Sequence, residues 1–131
     1  PINSLPAEWY TDDKFLKKEI NQIFLKSWLL IGSEAHIPNP GDCLFQSIVD
    51  QPIVCVRQED NSIKTFFNIC RHRAGSFENK KSKNNYLVCK YHGWTYSING
   101  QLKSPRGFNK SEIALEKLCL KYINTKIVIL H

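Results

Sequence analysis

Cys70-Arg71-His72 and Cys89-Lys90-Tyr91-His92 each hold a thiol and an imidazole within a few residues, with 16 residues between the two groups and Gly93-Trp94-x-Tyr96 after the second. Thiolates and neutral imidazoles are both iron ligands. Two such loops suit a two-iron, two-sulfide cluster in which one iron takes Cys70 and Cys89 and the other takes His72 and His92. The same four side chains could close a tetrahedral structural zinc site. Zinc sites usually draw a cysteine pair from one knuckle and a histidine pair from a helix, however, whereas here each loop supplies one of each. In a third reading the cysteines are small packing residues and the histidines make ordinary hydrogen bonds. Ligand spacing at glycine-containing turns weighs against that. The chain reads as an electron carrier.

The surrounding residues carry a family resemblance. The stretch from Phe67 to Leu102, with Phe67-Asn68-x-Cys70-x-His72-Arg73 and Cys89-x-Tyr91-His92-Gly93-Trp94-Thr95-Tyr96-x-x-x-Gly100-x-Leu102, resembles the Rieske domain of aromatic-ring-hydroxylating, or Rieske non-haem iron, oxygenase large subunits. Upstream, Leu5-Pro6-x-x-Trp9-Tyr10-Thr11-Asp12, Ile23-Phe24-x-x-x-Trp28-x-x-Ile31-Gly32 and Ile37-Pro38-x-Pro40-Gly41-Asp42 are similar to the leading segment of those subunits. The resemblance implies a one-electron relay through a Rieske 2Fe-2S cluster. The donor would be a ferredoxin or flavin reductase. The acceptor would be a mononuclear Fe(II) in the catalytic domain of the same or a neighbouring subunit, and the family's trimers form largely through that domain. Substrates in the family are aromatic compounds or quaternary amines, oxidised as monooxygenases or dioxygenases. The Cys-Arg-His-Arg-Ala wording of the first loop leans towards the quaternary-amine branch. The competing classes are a stand-alone Rieske ferredoxin, against which the leading segment speaks, and a zinc-stabilised interaction module.

The same resemblance assigns roles near the ligands. Imidazoles in place of two thiolates make the cluster less negative and raise its reduction potential above that of an all-cysteine ferredoxin. Trp94 stands where high-potential Rieske proteins carry a serine that donates to a bridging sulfide, which sets the expected potential near the low end of the roughly −150 to +300 mV range. Tyr96 is a candidate donor to a cysteine sulfur, or equally a core aromatic. Gly93 lets the backbone turn tightly beneath the cluster. Arg71 and Arg73 flank His72, one expected to be structural and the other to face a partner. Rieske proteins of the cytochrome-complex type carry an extra cysteine in each loop. Here Ala74 and Gly75 follow the first histidine and Tyr91 precedes the second, which points to the oxygenase branch and a cytoplasmic setting.

Length and charge narrow the reading further. The 131 residues make one domain with a sizeable core: a helical leading segment over 1–36 and a Rieske 2Fe-2S domain over 37–131. A catalytic mononuclear-iron domain has no room, so this stretch is expected to relay electrons without hydroxylating anything itself. Eighteen Lys and Arg against twelve Asp and Glu give a net charge of +6, which favours solubility or steers an acidic partner. The Lys80-Lys81-Lys83 run between the ligand loops is a candidate docking surface. No groove-reading motif accompanies the charge, so nucleic acid is not an expected partner. The apolar runs Ile123–Leu130 and Trp28–Ile31 are far too short to span a bilayer, so no membrane is expected either. Cys43, Cys55 and Cys119 read as reduced packing residues, with no disulfide.

The elements that must position the ligands are one helix and a series of strands. From Thr11 or Asp12, Phe15, Leu16, Ile20, Ile23, Phe24 and Trp28 recur at helical spacing, which predicts an amphipathic helix with a core-facing stripe. Strands are expected at Cys43–Val49, Ile53–Gln58, Ile63–Asn68, Tyr86–Cys89, Thr95–Ser97 and Gln101–Lys103, with turns at Asp60-Asn61 and Asn99-Gly100. Leu118–Leu130 should add two more around Asn124-Thr125. The predicted fold is an all-β, Rieske-type antiparallel sandwich with an N-terminal amphipathic helix and two cluster-binding loops.

Overall fold

A computed structural model describes residues 4–77 and 85–128. The Lys80-Lys81-Lys83 run lies outside them. The chain divides into two compact units, Pro1–Ile31 and Gly32–His131.

The first unit is helical. α1 covers Glu8–Thr11 and α2 covers Asp13–Gln22. Asp12 caps α2, its carboxylate accepting the Lys14 N–H at 2.8 Å, which satisfies one of the free donors of the first turn. The helix stops earlier than the apolar spacing predicts. Ile23, at φ −115° and ψ −69°, caps the helix, and Phe24–Lys26 continue as a 3₁₀ turn. The stripe is also not core: α2 buries no residue, and Leu16 and Trp28 are 51% and 70% exposed. The physical reason is that one short helix has no second layer of its own to bury a stripe against. Trp9 stacking on Phe15 at 5.2 Å is its local substitute.

The second unit holds two antiparallel sheets. β1 (Cys43–Ile48), β2 (Gln51–Arg57), β3 (Ile63–Phe67) and β7 (Tyr122–Ile123) form one, in the order β1-β2-β3-β7. β4 (Tyr86–Val88), β5 (Thr95–Ser97) and β6 (Leu102–Ser104) form the other. The all-β Rieske-type sandwich is therefore the observed fold. β1 ends one residue short of the expected span. Ile48 pairs with Gln51, so Val49 and Asp50 must turn by themselves, both at positive φ (49° and 61°), as a two-residue hairpin of primed type requires. The Leu118–Leu130 run gives only the two-residue β7 among the described residues.

Two side chains tie the sheets together. The buried Gln58 amide donates to its own strand at Val56 O (3.1 Å) and across to Ile98 O (2.8 Å). Gly100, at φ +87°, turns the β5–β6 hairpin directly over Phe66, whose Cε1 lies 2.6 Å from where a Cβ would stand. Both demands, positive φ and close approach, exclude a side chain there. Val54, Val56, Phe66, Phe77, Leu87, Trp94, Tyr96 and Leu102 fill the space between. No helix among the described residues is long and apolar enough to cross a membrane.

Candidate metal centre

The two ligand loops are built alike. After β3, the Cys70 N–H donates to Gly75 O (2.8 Å) and Ala74 N–H returns to Cys70 O (3.0 Å); after β4, Cys89 N–H donates to Trp94 O (2.8 Å) and Gly93 N–H returns to Cys89 O (2.9 Å). In each loop the fourth residue after the cysteine sits at positive φ, Ala74 at 54° and Gly93 at 73°. The turns are thereby closed on their own backbones, with side chains left free. A Phe77–Cys89 bridge and the Lys90 N–H to Ser76 O bond (3.3 Å) hold one loop to the other. Asn68, buried at the base, accepts the Phe77 N–H on its side-chain oxygen at 2.7 Å.

This pairing gathers the candidate ligands. Cys70 and Cys89 are both 2% exposed and close enough to interact. The His72 and His92 rings lie edge to face with centroids 4.7 Å apart. Trp94 is 3% exposed and stacks on His72 at 4.7 Å and 8°, so it fixes the plane of that imidazole. Tyr96 is fully buried. Its hydroxyl accepts the Arg71 N–H at 3.2 Å and lies 3.5 Å from Cys70 Sγ. Both arginine side chains beside His72 are exposed, and the Arg71 backbone N–H is the group that bonds Tyr96.

Two contributors escaped the sequence reading. Gly75 carries no side chain because a Cβ there would stand 2.8 Å from Cys89 Sγ and 2.9 Å from Tyr91 Cβ. Phe108, from the loop after β6, meets His72 edge-on at 5.6 Å and Trp94 at 5.8 Å. Gly75 had a signal, its place inside the first loop; Phe108 had none.

The electrostatics follow burial. Desolvation raises the Cys70 pKa, while the Tyr96 hydrogen bond and a backbone bond from the His72 side act against it. The Tyr96 phenol is pushed well above its ordinary 10.0, by burial first and by Cys70 second. The His72 imidazole is lowered from 6.5 by desolvation, then by His92 and Arg73, which favours the neutral, metal-binding form.

A model of the Rieske [2Fe-2S] domain matches residues 27–119. The chain belongs to that family, whose cofactor is a Rieske [2Fe-2S] cluster. It is 43% identical over 94 residues to the biphenyl dioxygenase subunit alpha of Metapseudomonas furukawaii, covering 71% of this chain and 20% of that one. Over 101 residues it is 40% identical to the glycine betaine monooxygenase oxygenase subunit of Chromohalobacter salexigens, covering 76% and 23%. Among solved structures, a quaternary ammonium Rieske monooxygenase described with carnitine oxidation and inter-subunit electron transfer superposes with a TM-score of 0.83 at 26% identity, covering 92% of this chain and 34% of that one. The chain spans about a fifth of the length of these curated relatives.

The residues present fit the cluster. Nδ1 of His72 is shielded from solvent with no hydrogen-bond partner, a state that is unfavourable unless something binds the nitrogen. It stands in a site whose other donors are two buried sulfurs and a second imidazole, the set a two-iron, two-sulfide cluster of this type takes.

Proposed function

We propose that the chain is the electron-relay domain of a Rieske non-haem iron oxygenase large subunit, with Cys70 and Cys89 on one iron and His72 and His92 on the other. The observation that carries the reading is the orphaned His72 Nδ1, held by the Trp94 stack beside a second imidazole and two buried thiols. When bound, the cluster supplies a one-electron centre whose potential the imidazoles raise above that of an all-thiolate cluster. The chain's own residues do the rest. Closed backbone turns at Cys70 and Cys89 hold the sulfurs away from water, Trp94 and Phe108 fix His72, and Tyr96 directs a hydrogen bond at Cys70.

The zinc alternative finds less support. Zinc sites usually take a cysteine pair from one knuckle and a histidine pair from a helix, whereas here each loop supplies one of each. Two irons ask for only two protein donors each.

In this reading a ferredoxin or flavin reductase gives the electron. The mononuclear Fe(II) of a catalytic domain, in the same or a neighbouring subunit of a trimer, receives it, and the protein works in the cytoplasm. The relatives' names point to two substrate branches, aromatic compounds and quaternary amines. Selection between them belongs to the catalytic domain.

The test is an optical spectrum and low-temperature EPR of the purified chain before and after dithionite. A red-brown protein with a reduced-state signal characteristic of mixed histidine and cysteine ligation is expected. A colourless zinc protein that iron and sulfide cannot convert would sink the reading.

A further inference from the structure

Asn68 follows β3 directly and is 8% exposed. Its backbone N–H donates to Pro52 O on β2 at 2.8 Å, which holds the residue to the sheet. Its side-chain oxygen accepts the Phe77 N–H at 2.7 Å. That bond closes the first ligand loop from outside, around the inner turn in which the Cys70 N–H donates to Gly75 O. Phe77, itself buried, connects the loop to the rest of the site. Its backbone bridges to Cys89. Its ring meets Tyr96 edge-on at 5.5 Å and 79°, and the Tyr96 hydroxyl lies 3.5 Å from Cys70 Sγ.

One side-chain oxygen therefore stands behind both cysteines. It reaches Cys89 through the Phe77 backbone, and Cys70 through the Phe77 ring and Tyr96. A buried backbone N–H needs an acceptor, so without Asn68 the Phe77 amide turns towards water, drawing its backbone off Cys89 and its ring off Tyr96. Groups that orient ligands from outside tune the centre those ligands hold. We propose that Asn68 is a positioning residue for the cysteine half of the site: by holding Phe77, its side-chain oxygen keeps Cys89 opposite Cys70 and the Tyr96 hydroxyl against the Cys70 sulfur. The proposal rests on the relay reading.

The experiment measures midpoint potential, EPR, iron and acid-labile sulfide on the cluster-loaded 131-residue chain and on Asn68→Leu, Tyr96→Phe and the double variant. Asn68→Leu keeps the bulk and removes the acceptor. It should lower the midpoint in the same direction as Tyr96→Phe, because the same hydrogen bond to sulfur is weakened. The two shifts should not add: once the hydroxyl is gone, Asn68→Leu should move the midpoint by less than about half its shift in the parent. Gln58→Leu removes another buried amide, bonded to Val56 O and Ile98 O. It should lower the unfolding temperature while leaving midpoint and EPR unchanged. If Asn68→Leu holds no iron, Asn68→Asp decides, since it retains an oxygen at the same place; parent-like iron and sulfide are expected in it, and loss in both variants overturns the proposal. An unchanged midpoint in Asn68→Leu, fully additive shifts, or an equal shift from Gln58→Leu overturns it too. These outcomes are read only where the parent shows the Rieske EPR signal, whose absence instead refutes the relay reading itself.

Discussion

Tyr96 and Cys70 share a sulfur hydrogen bond: Tyr96 Oη lies 3.5 Å from Cys70 Sγ while accepting the Arg71 N–H at 3.2 Å. With Cys70 as a thiolate ligand the hydroxyl must be the donor, and a donor to a ligand sulfur favours the reduced, more negative state. Tyr96→Phe should therefore lower the midpoint potential. If about 1 kcal/mol of the bond is specific to the reduced state, the shift is on the order of 40 mV. The variant also strands the Arg71 N–H, so stability should fall by about 1–2 kcal/mol. A redox titration followed by visible circular dichroism checks the first effect and denaturant unfolding the second.

Gly75→Ala should impair cluster loading. Its Cβ would stand 2.8 Å from Cys89 Sγ, and the sulfur cannot yield without leaving its position opposite Cys70. Iron and acid-labile sulfide per chain should drop well below the parent's values, while far-UV circular dichroism stays that of a folded β protein. Full loading with an unchanged spectrum would contradict the placement of Cys89.

Only two of the five cysteines should matter to iron content. Cys89→Ser is expected to abolish the Rieske signal. Cys119→Ala should leave it intact, and Cys55→Ala should keep the cluster while costing about 1 kcal/mol of stability, since Cys55 is 2% exposed in the core. Iron analysis on the three variants decides the matter.

Cys43 gives a pH dependence. Burial first, then Asp42 and Cys55, push its thiol from 9.0 up to about 12. Below pH 9 the proton is bound in folded and unfolded chains alike, so this group adds no pH dependence there. Between pH 9 and about 12 the unfolded chain ionises first, and stability falls as pH rises. Cys43→Ala should flatten that alkaline decline relative to the parent when denaturation midpoints are compared across the range; parallel curves would refute the assignment.

The proposed ligand set came from sequence because iron chemistry restricts residue type at short spacing: Cys70 and His72, like Cys89 and His92, lie within one loop each. Hairpins were legible for the same local reason. Asn61 takes positive φ at 63°, and Gly100 N–H closes its turn onto Ser97 O at 2.8 Å, both as their residue types suggest. The Val49-Asp50 turn was not legible, since a β-branched residue at positive φ is imposed by the strand pairing on either side rather than by local preference.

Residue chemistry by itself determined which atoms can bind metal and which segments extend or turn, because both depend on neighbours within a few positions. Tertiary structure alone decided that Gly75 must clear Cys89 Sγ, that Phe108 closes on His72, and that the α2 stripe buries no residue. The reason is that apolar periodicity marks a face for burial without saying what covers it. Contacts between distant loops depend on how the two sheets meet, through Gln58 to Ile98 and Phe66 beneath Gly100, and no local pattern encodes that meeting.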